Sequence, residues 1–380
     1  MSTGLQANNH VIFVVKDLGY FLSHRLDLAH FLIERGWKVS LAADLQNAKS
    51  FPGSEKLTRI IDLPFLSLRH TPWKLLLPTL CFFNFILKNR KATVFSITIP
   101  ALLLAGFFCK ILRVRQVILF AGLGNIFHGR PNHFRRLVRN FIRTITKNSR
   151  TLLIAQNSEI RKFLLDNGYS ADVVLISGSG IDEAKFTPTN PKALNSIPKV
   201  LFLGRMLREK GVVEFIDAAR EILRKGIKAD FILAGRTDSL NPTSLKDNEI
   251  KTMIEPEPSI SWIGSTSDVK NLLANVDMVC LPSYHEGFPR TLLEGALMEC
   301  CLIASDIPGS TDIVISGQTG ILCKPRSVES LQEALTNLIN DPRKIKILAS
   351  NARHHVLENF TNAVILPKYF IAISGSEGKN

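Results

Sequence analysis

Short apolar runs recur along this chain with helix-like stretches between them. That alternation limits the available folds more than any other feature. VIFVV (11–15), WKVSLAA (37–43), QVILFAG (116–122) and TLLIAQN (151–157) are such runs in the first half. VVLIS (173–177), KVLFLG (199–204), DFILAG (230–235), SISWIG (259–264), DMVCLPS (277–283) and CLIASD (301–306) continue the series. Runs this short and this continuously apolar read as strands buried on both faces, as in parallel sheets. Residues 23–35, ended by Gly36, together with 212–226 and 267–274, read as intervening helices. The expected class is α/β, with parallel sheets covered by helices.

The chain has 380 residues, which at roughly 100–200 residues per domain suggests two domains. The segment TPTNPKALNSIP (187–198) carries three prolines and no clear period, so it reads as a linker. Residues 1–186 then form an N-terminal domain and 199–360 a C-terminal one. Ligands of such folds bind beyond the C-terminal ends of the strands. The expected site is a cleft between the two domains.

The apolar fraction, 46%, excludes a disordered chain. A net charge of +14 points to anionic partners: nucleic acid, a lipid surface or phosphorylated substrates. Six cysteines occur with no C-x-x-C pair. They read as buried thiols in a reducing compartment, neither a disulfide framework nor a zinc site. The start, MSTGLQANNH, is polar and shows no signal peptide, so the expected location is the cytoplasm. Residues 92–109 lack charge, but Pro100 lies among them. The reading is a strand at 93–98 and a helix opening at Pro100, not a membrane span.

Three constellations carry candidate chemistry. Glu286-Gly287-Phe288-Pro289-Arg290-Thr291-Leu292-Leu293-Glu294 follows the DMVCLPS strand. Gly287 permits close backbone approach to a ligand, and Pro289 suits a helix start whose N–H groups attract an anion. Glu286 and Glu294 would flank that end, and carboxylates accept sugar or ribose hydroxyls well. The plain alternative is two ordinary acidic residues near a helix start, where negative charge is favoured anyway. In FLGRMLREKG (202–211), Arg205 and Lys210 stand ready for a diphosphate; a solvated basic loop is the alternative. ISGSGIDEAKFTP (176–188) places Gly178 and Gly180 at a strand end, where a generic turn would also serve. Neither a P-loop nor a G-x-G-x-x-G fingerprint is present.

Together these motifs resemble the retaining GT-B-fold glycosyltransferases of family 4. The matching pieces are Gly204-Arg205, Lys210-Gly211, the Glu286-x7-Glu294 spacing, Ser179-Gly180-Ile181-Asp182, Pro308-Gly309 and Gly317-x-x-Gly320. In the first half, residues 11–32 and 119–127 look like the branch that extends lipid-linked bacterial surface polysaccharides. The resemblance implies two Rossmann-like α/β domains facing a cleft, with residues 361–380 packing back on the first, and a nucleotide-sugar donor, such as a UDP-HexNAc. By the same resemblance Arg205 and Lys210 hold the donor diphosphate, Glu286 the sugar hydroxyls and Glu294 the ribose. A loop at Gly19 closes over the phosphates, and His24 is a further site candidate, with a structural role at a helix start as its alternative. Gly287, Phe288, Pro289 and Arg290 line the donor. No metal or cofactor is expected. The sequence departs from the family pattern at Glu299 and Cys301, which stand where many relatives have a Gly-x-Pro turn, and at Asp312, where glutamate is usual.

FRRLVRNFIRTITKNSR (134–150) spaces Phe134, Leu137, Val138, Phe141, Ile142 and Ile145 helically, with arginines between. It reads as a basic amphipathic helix that attaches to an anionic membrane surface, or that packs on the sheet with its charges outward. Nucleic acid is not expected as a partner, because no stacking platform accompanies the charge. The function expected from the whole is transfer of a sugar to a lipid-linked glycan, at the cytoplasmic face of the inner membrane. A nucleotide-sugar 2-epimerase of the same fold is the enzymatic alternative, and a basic membrane-surface scaffold the non-enzymatic one.

Overall fold

The computed structural model describes residues 9–46, 48, 50–64, 76–122, 127, 132–169, 172–188, 192–239 and 241–375. They divide into two compact units. The first runs to Gly180 and takes up the chain again from Asn362; the second is Ile181–Thr361. The division falls at Gly180, ahead of the 187–198 segment.

The first unit holds a seven-stranded sheet: β1 (His10–Asp17), β2 (Lys38–Asp44), β3 (Arg59–Asp62), β4 (Thr93–Ile97), β5 (Gln116–Phe120), β6 (Thr151–Ala155) and β7 (Val173–Leu175), in the order β3-β2-β1-β4-β5-β6-β7. Every pairing is parallel. Alternate residues of β1 serve opposite cores. Val11, Phe13 and Val15 enter one, and Ile12 and Val14 the other. That is the period of two expected of a strand covered on both faces.

The second unit repeats the scheme with β8 (Lys199–Leu203), β9 (Asp230–Ala234), β10 (Ile260–Trp262), β11 (Met278–Leu281), β12 (Cys301–Ser305) and β13 (Gly320–Cys323), ordered β10-β9-β8-β11-β12-β13. Val200 and Phe202 face one core and Leu201 the other. Both units are therefore doubly wound, Rossmann-like sheets, as expected.

Several local expectations change. Residues 23–35 are not one helix. Leu18–His24 and Leu26–Glu34 are separate, joined at Arg25, whose φ of −130° leaves the helical region. There the Arg25 side chain turns inward, fully buried, with its guanidinium 5.1 Å from the Tyr369 ring. Gly19 is not in a loop. The Asp17 side chain accepts the Tyr20 N–H at 2.8 Å and starts the helix at Leu18, so Gly19 lies in its first turn. Five cysteines are buried thiols as expected, but Cys81 is exposed. Pro100 does open a helix, Ile99–Leu112. Among the described residues no helix is long and apolar enough to cross a membrane.

The basic helix spans His133–Thr146, capped by Asn132. Its apolar residues lie along one side of the helix, as expected, but only part of that side is covered. Ile142 and Ile145 are buried, whereas Phe134, Leu137 and Phe141 are exposed. Phe141 continues outward to the exposed Phe107 of Ile99–Leu112, at 6.2 Å between ring centroids. Two of the arginines turn to the protein body: Arg139 lies over Phe127, and Arg143 over Tyr169 with a bond to the Asn167 carbonyl.

The helix Asn362–Ser374 belongs to the first unit. The Tyr369 hydroxyl donates to the Gly178 carbonyl at 2.7 Å, Thr93 Oγ1 to that of Ile373 at 3.2 Å, and Arg115 to that of Ala372 at 2.9 Å.

Candidate functional site

In the second unit the strand order reverses beside β8, with β9 and β10 on one side and β11 to β13 on the other. Such a switch point is where doubly wound sheets bind ligands, beyond the strands' C-terminal ends. The strands flanking it are β8 and β11. Arg205 and Lys210 follow β8, and Glu286 follows β11.

A 3₁₀ turn, Arg208–Lys210, presents Lys210. The Tyr284 N–H donates to the Glu209 carbonyl at 2.9 Å, which joins this turn to the loop after β11. Gly211 then takes φ +77°, and a Cβ there would stand 2.2 Å from the Pro282 carbonyl oxygen. Only glycine lets the two loops come this close. The outcome is an ion pair, with Lys210 Nζ 2.6 Å from Glu286 Oε1 and side chains 21% and 9% exposed. Ser283 Oγ donates to the same carboxylate oxygen at 2.7 Å. At Gly309, with φ +86°, a Cβ would lie 2.4 Å from the Gly287 carbonyl oxygen, so the Pro308–Gly309 turn rests directly on the Glu286–Gly287 backbone.

The helix that follows is Arg290–Leu297. Pro289 is its N-cap, extended at φ −76° and ψ 112°, and no side chain caps it. An uncapped N-terminus offers backbone N–H groups and the positive end of the helix dipole to an anion. Thr291 Oγ1 donates to the Leu203 carbonyl at 3.2 Å, which fixes the helix to the end of β8. Phe288 packs edge-on against Phe360, centroids 5.1 Å apart. Glu294 is paired with Arg290 at 3.5 Å. Burial pushes its carboxyl above the ordinary glutamate range, while Arg290 and Lys185 pull it back in part.

The residues named from sequence therefore separate into groups. Lys210 and Glu286 meet directly. Gly287, Phe288, Pro289, Arg290 and Glu294 form the loop and helix start beside them. Arg205 is engaged elsewhere, donating to Asp238 Oδ2 at 3.0 Å, with its side chain 48% exposed. Gly19 and His24 belong to the first unit. The His24 ring stacks on Tyr20 at 4.6 Å, and its Nδ1 lies 2.7 Å from Ser23 Oγ. Among the described residues no group of three His, Cys, Asp or Glu side chains is placed to hold a metal.

Residues 188–355 match the family described as Glycosyl transferases group 1. This stretch is a glycosyl transferases group 1 domain. The group 1 domain contains Arg205, Lys210, Glu286 and Glu294. A Staphylococcus aureus capsular polysaccharide biosynthesis glycosyltransferase is 26% identical over 53% of this chain and 56% of its own. The Campylobacter jejuni N,N'-diacetylbacillosaminyl-diphospho-undecaprenol α-1,3-N-acetylgalactosaminyltransferase is 26% identical over 65% of this chain and 67% of its own. The chain thus spans between about half and two thirds of these curated relatives. The solved structure of the Anabaena protein Alr3699/HepE in complex with UDP has a TM-score of 0.78 at 18% identity, covering 96% of this chain and all of that one. That likeness carries the fold across both units.

Two partners escaped the sequence reading. Ser283 looked like the end of a strand, and its hydroxyl serves Glu286. Asp238 lies just past β9, another strand end on the ligand side, and that position was the one signal available for it.

Proposed function

We propose that the protein is a retaining glycosyltransferase that moves a sugar from a UDP-sugar, such as a UDP-HexNAc, to a lipid-linked glycan in bacterial surface-polysaccharide assembly. The observation that carries this reading is the Lys210–Glu286 pair at the β8/β11 switch point, beside an uncapped helix N-terminus. An anion site and a sugar-hydroxyl acceptor adjoin there, which is what a nucleotide-diphosphate sugar requires. The C. jejuni relative is named for an undecaprenyl-diphosphate acceptor, and the HepE structure for UDP.

In this reading the donor diphosphate draws Lys210 away from Glu286. Lys210, Arg205 and the N–H groups at Pro289–Arg290 stabilise the charge that grows on the leaving diphosphate. Glu286, released, accepts hydroxyls of the donor sugar, and Glu294 those of the ribose. The leaving diphosphate takes the acceptor proton on the same face, which gives retention. Protein cations do the charge work, so no metal is required.

The acceptor's lipid end lies in a bilayer, and the enzyme works peripherally at the cytoplasmic face of the inner membrane. Its contact is the exposed row Phe134, Leu137 and Phe141, flanked by Arg136 and Lys147, on anionic lipid.

The test is an assay with UDP-sugars, with and without an undecaprenyl-diphosphate-linked sugar. Strict acceptor dependence and product retention support the reading. Epimerised sugar from the donor alone establishes the 2-epimerase instead, and failure to bind any nucleoside diphosphate establishes the scaffold.

A further inference from the structure

The loops after β8 and β11 are joined by Gly211 against Pro282, by the Tyr284 N–H on the Glu209 carbonyl, and by Lys210 on Glu286. In the proposed mechanism the last of these opens when the donor diphosphate takes Lys210. Glu286 must then keep its place without the cation that held it. On one side the Gly309 turn rests on the Glu286–Gly287 backbone. The side toward β11 is held by Tyr284.

The Tyr284 hydroxyl donates to Glu214 Oε1. Glu214 lies in the first turn of the helix Val212–Arg224, which starts directly after Lys210 and Gly211. This bond therefore ties the helix that follows Lys210 to the loop that carries Glu286. The Arg326 guanidinium covers the Tyr284 ring, 4.5 Å from its centroid. Arg326 belongs to the loop after β13 and takes φ 60°, the left-handed region that an arginine enters only at a cost. Tyr284 is thus gripped at its N–H, its hydroxyl and its ring face by three separate segments.

The tie to Glu214 is a poor one for stability alone. Glu214 Oε2 is closed off from solvent and has no hydrogen-bond partner among the described residues. An oxygen left in that state is destabilising. Apolar residues of similar size would hold the same two elements without that penalty. Burial, then the bond to Glu214, pushes the Tyr284 hydroxyl up to about 12, so it keeps its proton and goes on donating at neutral pH.

We infer that Tyr284 is a positioning residue for transfer, which through its bond to Glu214 and its ring under Arg326 holds the Glu286 carboxylate in place when Lys210 turns to the donor diphosphate. It acts through Glu286. The inference rests on the proposed function for the roles of Lys210 and Glu286. A reacting arrangement displaced by about 1 Å can lose about a hundredfold in rate, so a brace of this kind has a measurable effect.

The test uses Tyr284→Phe, Glu214→Gln, Glu214→Leu and the pair Tyr284→Phe with Glu214→Leu, all in the full chain. Transfer kinetics, UDP affinity, melting temperature and amide hydrogen exchange over residues 283–288 are read on each. Tyr284→Phe and Glu214→Leu should each lower kcat about tenfold or more, leave UDP affinity near wild type, and speed exchange over 283–288. Glu214→Gln, whose amide oxygen still accepts the tyrosine proton, should keep kcat and exchange near wild type. The paired variant should lose no more kcat than either single one, because both remove the same bond. It should also melt as high as wild type, because no unpaired oxygen is left buried. A merely structural tie predicts the reverse, a lower Tm with kcat unchanged. Full transfer by Tyr284→Phe where Glu286→Ala is inactive overturns this inference alone, as does a loss that Glu214→Leu does not share. In a protein that transfers no sugar, exchange still decides. Faster exchange over 283–288 in Tyr284→Phe but not in Glu214→Gln upholds the hold on the Glu286 loop and overturns only the transferase reading; unchanged exchange overturns both.

Discussion

Lys210 and Glu286 lie 76 residues apart in sequence, and their charged atoms lie 2.6 Å apart. The pair joins the loop after β8 to the loop after β11. Before a donor binds, the cation proposed for the diphosphate is neutralised by the carboxylate proposed for the sugar. The two groups are kept at the switch point, with Ser283 Oγ bonded to the same carboxylate oxygen. Lys210→Ala and Glu286→Ala should each lower kcat by about 10²–10³-fold, the range for removing one group that meets developing charge. Glu286→Ala should leave UDP affinity nearly unchanged, while Lys210→Ala should weaken it. Calorimetry with UDP, steady-state kinetics and melting curves check this together. Near-wild-type turnover in either variant, with the fold intact, refutes the assignment.

Glu294 should make UDP binding sensitive to pH. Its carboxyl is held above the ordinary glutamate value of 4.5, first by burial. A protonated carboxyl is a poor acceptor for ribose hydroxyls, so UDP affinity should fall as pH drops through that raised value. Stability runs the other way. A raised pKa in the folded state favours folding below the unfolded value and loses that contribution as pH rises through the folded one. Glu294→Gln should therefore melt higher than wild type at neutral pH, match it in acid, and bind UDP with a flatter pH profile. Titrating UDP at several pH values checks both signs.

Glu299 follows the helix Arg290–Leu297 at φ 54°. This is the left-handed position past a helix end where glycine is preferred. Its ion pair with Arg353, at 3.8 Å and partly exposed, offsets little of the strain. Glu299→Gly should stabilise the protein by about 1 kcal/mol, or a rise of about 2–4 °C in Tm for a unit of this size. Thermal unfolding monitored by circular dichroism checks it.

Transfer should proceed unchanged in excess EDTA, because Lys210, Arg205 and the helix N-terminus supply the positive charge in the proposed mechanism. Arg205→Ala should raise the donor KM about tenfold or more, as loss of a charge-assisted contact does. A strict requirement for added divalent cation would overturn this division of labour.

Anionic vesicles should recruit the protein more strongly than neutral ones. Phe134, Leu137 and Phe141 are exposed, so changing all three to serine should leave the melting temperature within about 1 °C while abolishing vesicle binding at high salt. Arg136→Glu should remove the salt-sensitive part. A change in oligomeric state instead of vesicle binding would identify the row as a contact between copies of the chain.

Much of this was legible beforehand, for physical reasons. Val11–Val15, Val200–Leu203 and Met278–Leu281 are continuously apolar because both faces of each strand are covered, and such runs announce themselves. β3, with the sequence RIID, did not. It is a short edge strand, charged at both ends and only half-buried, so no apolar run marks it. The break at Arg25 was invisible because arginine is a good helix former, and its buried contacts with Tyr369 and Tyr20 cannot be read from periodicity. Glu286 and Lys210 were both identified, yet their pairing was not, because it depends on Gly211 lying against Pro282. The apolar side of the basic helix was legible but its partial coverage was not, since periodicity cannot tell an apolar residue that packs inward from one that stands outside.

The return of Asn362–Ser374 to the first unit sets an order of events during synthesis. β4 and the Gly178 turn are made long before Tyr369, Ala372 and Ile373 leave the ribosome. The second unit, uninterrupted in sequence, can close first. The first must wait for the last helix. A nascent chain stopped before Asn362 should emerge with a finished second unit and an unfinished first one, visible as the proposed UDP binding without protease resistance in residues 9–180.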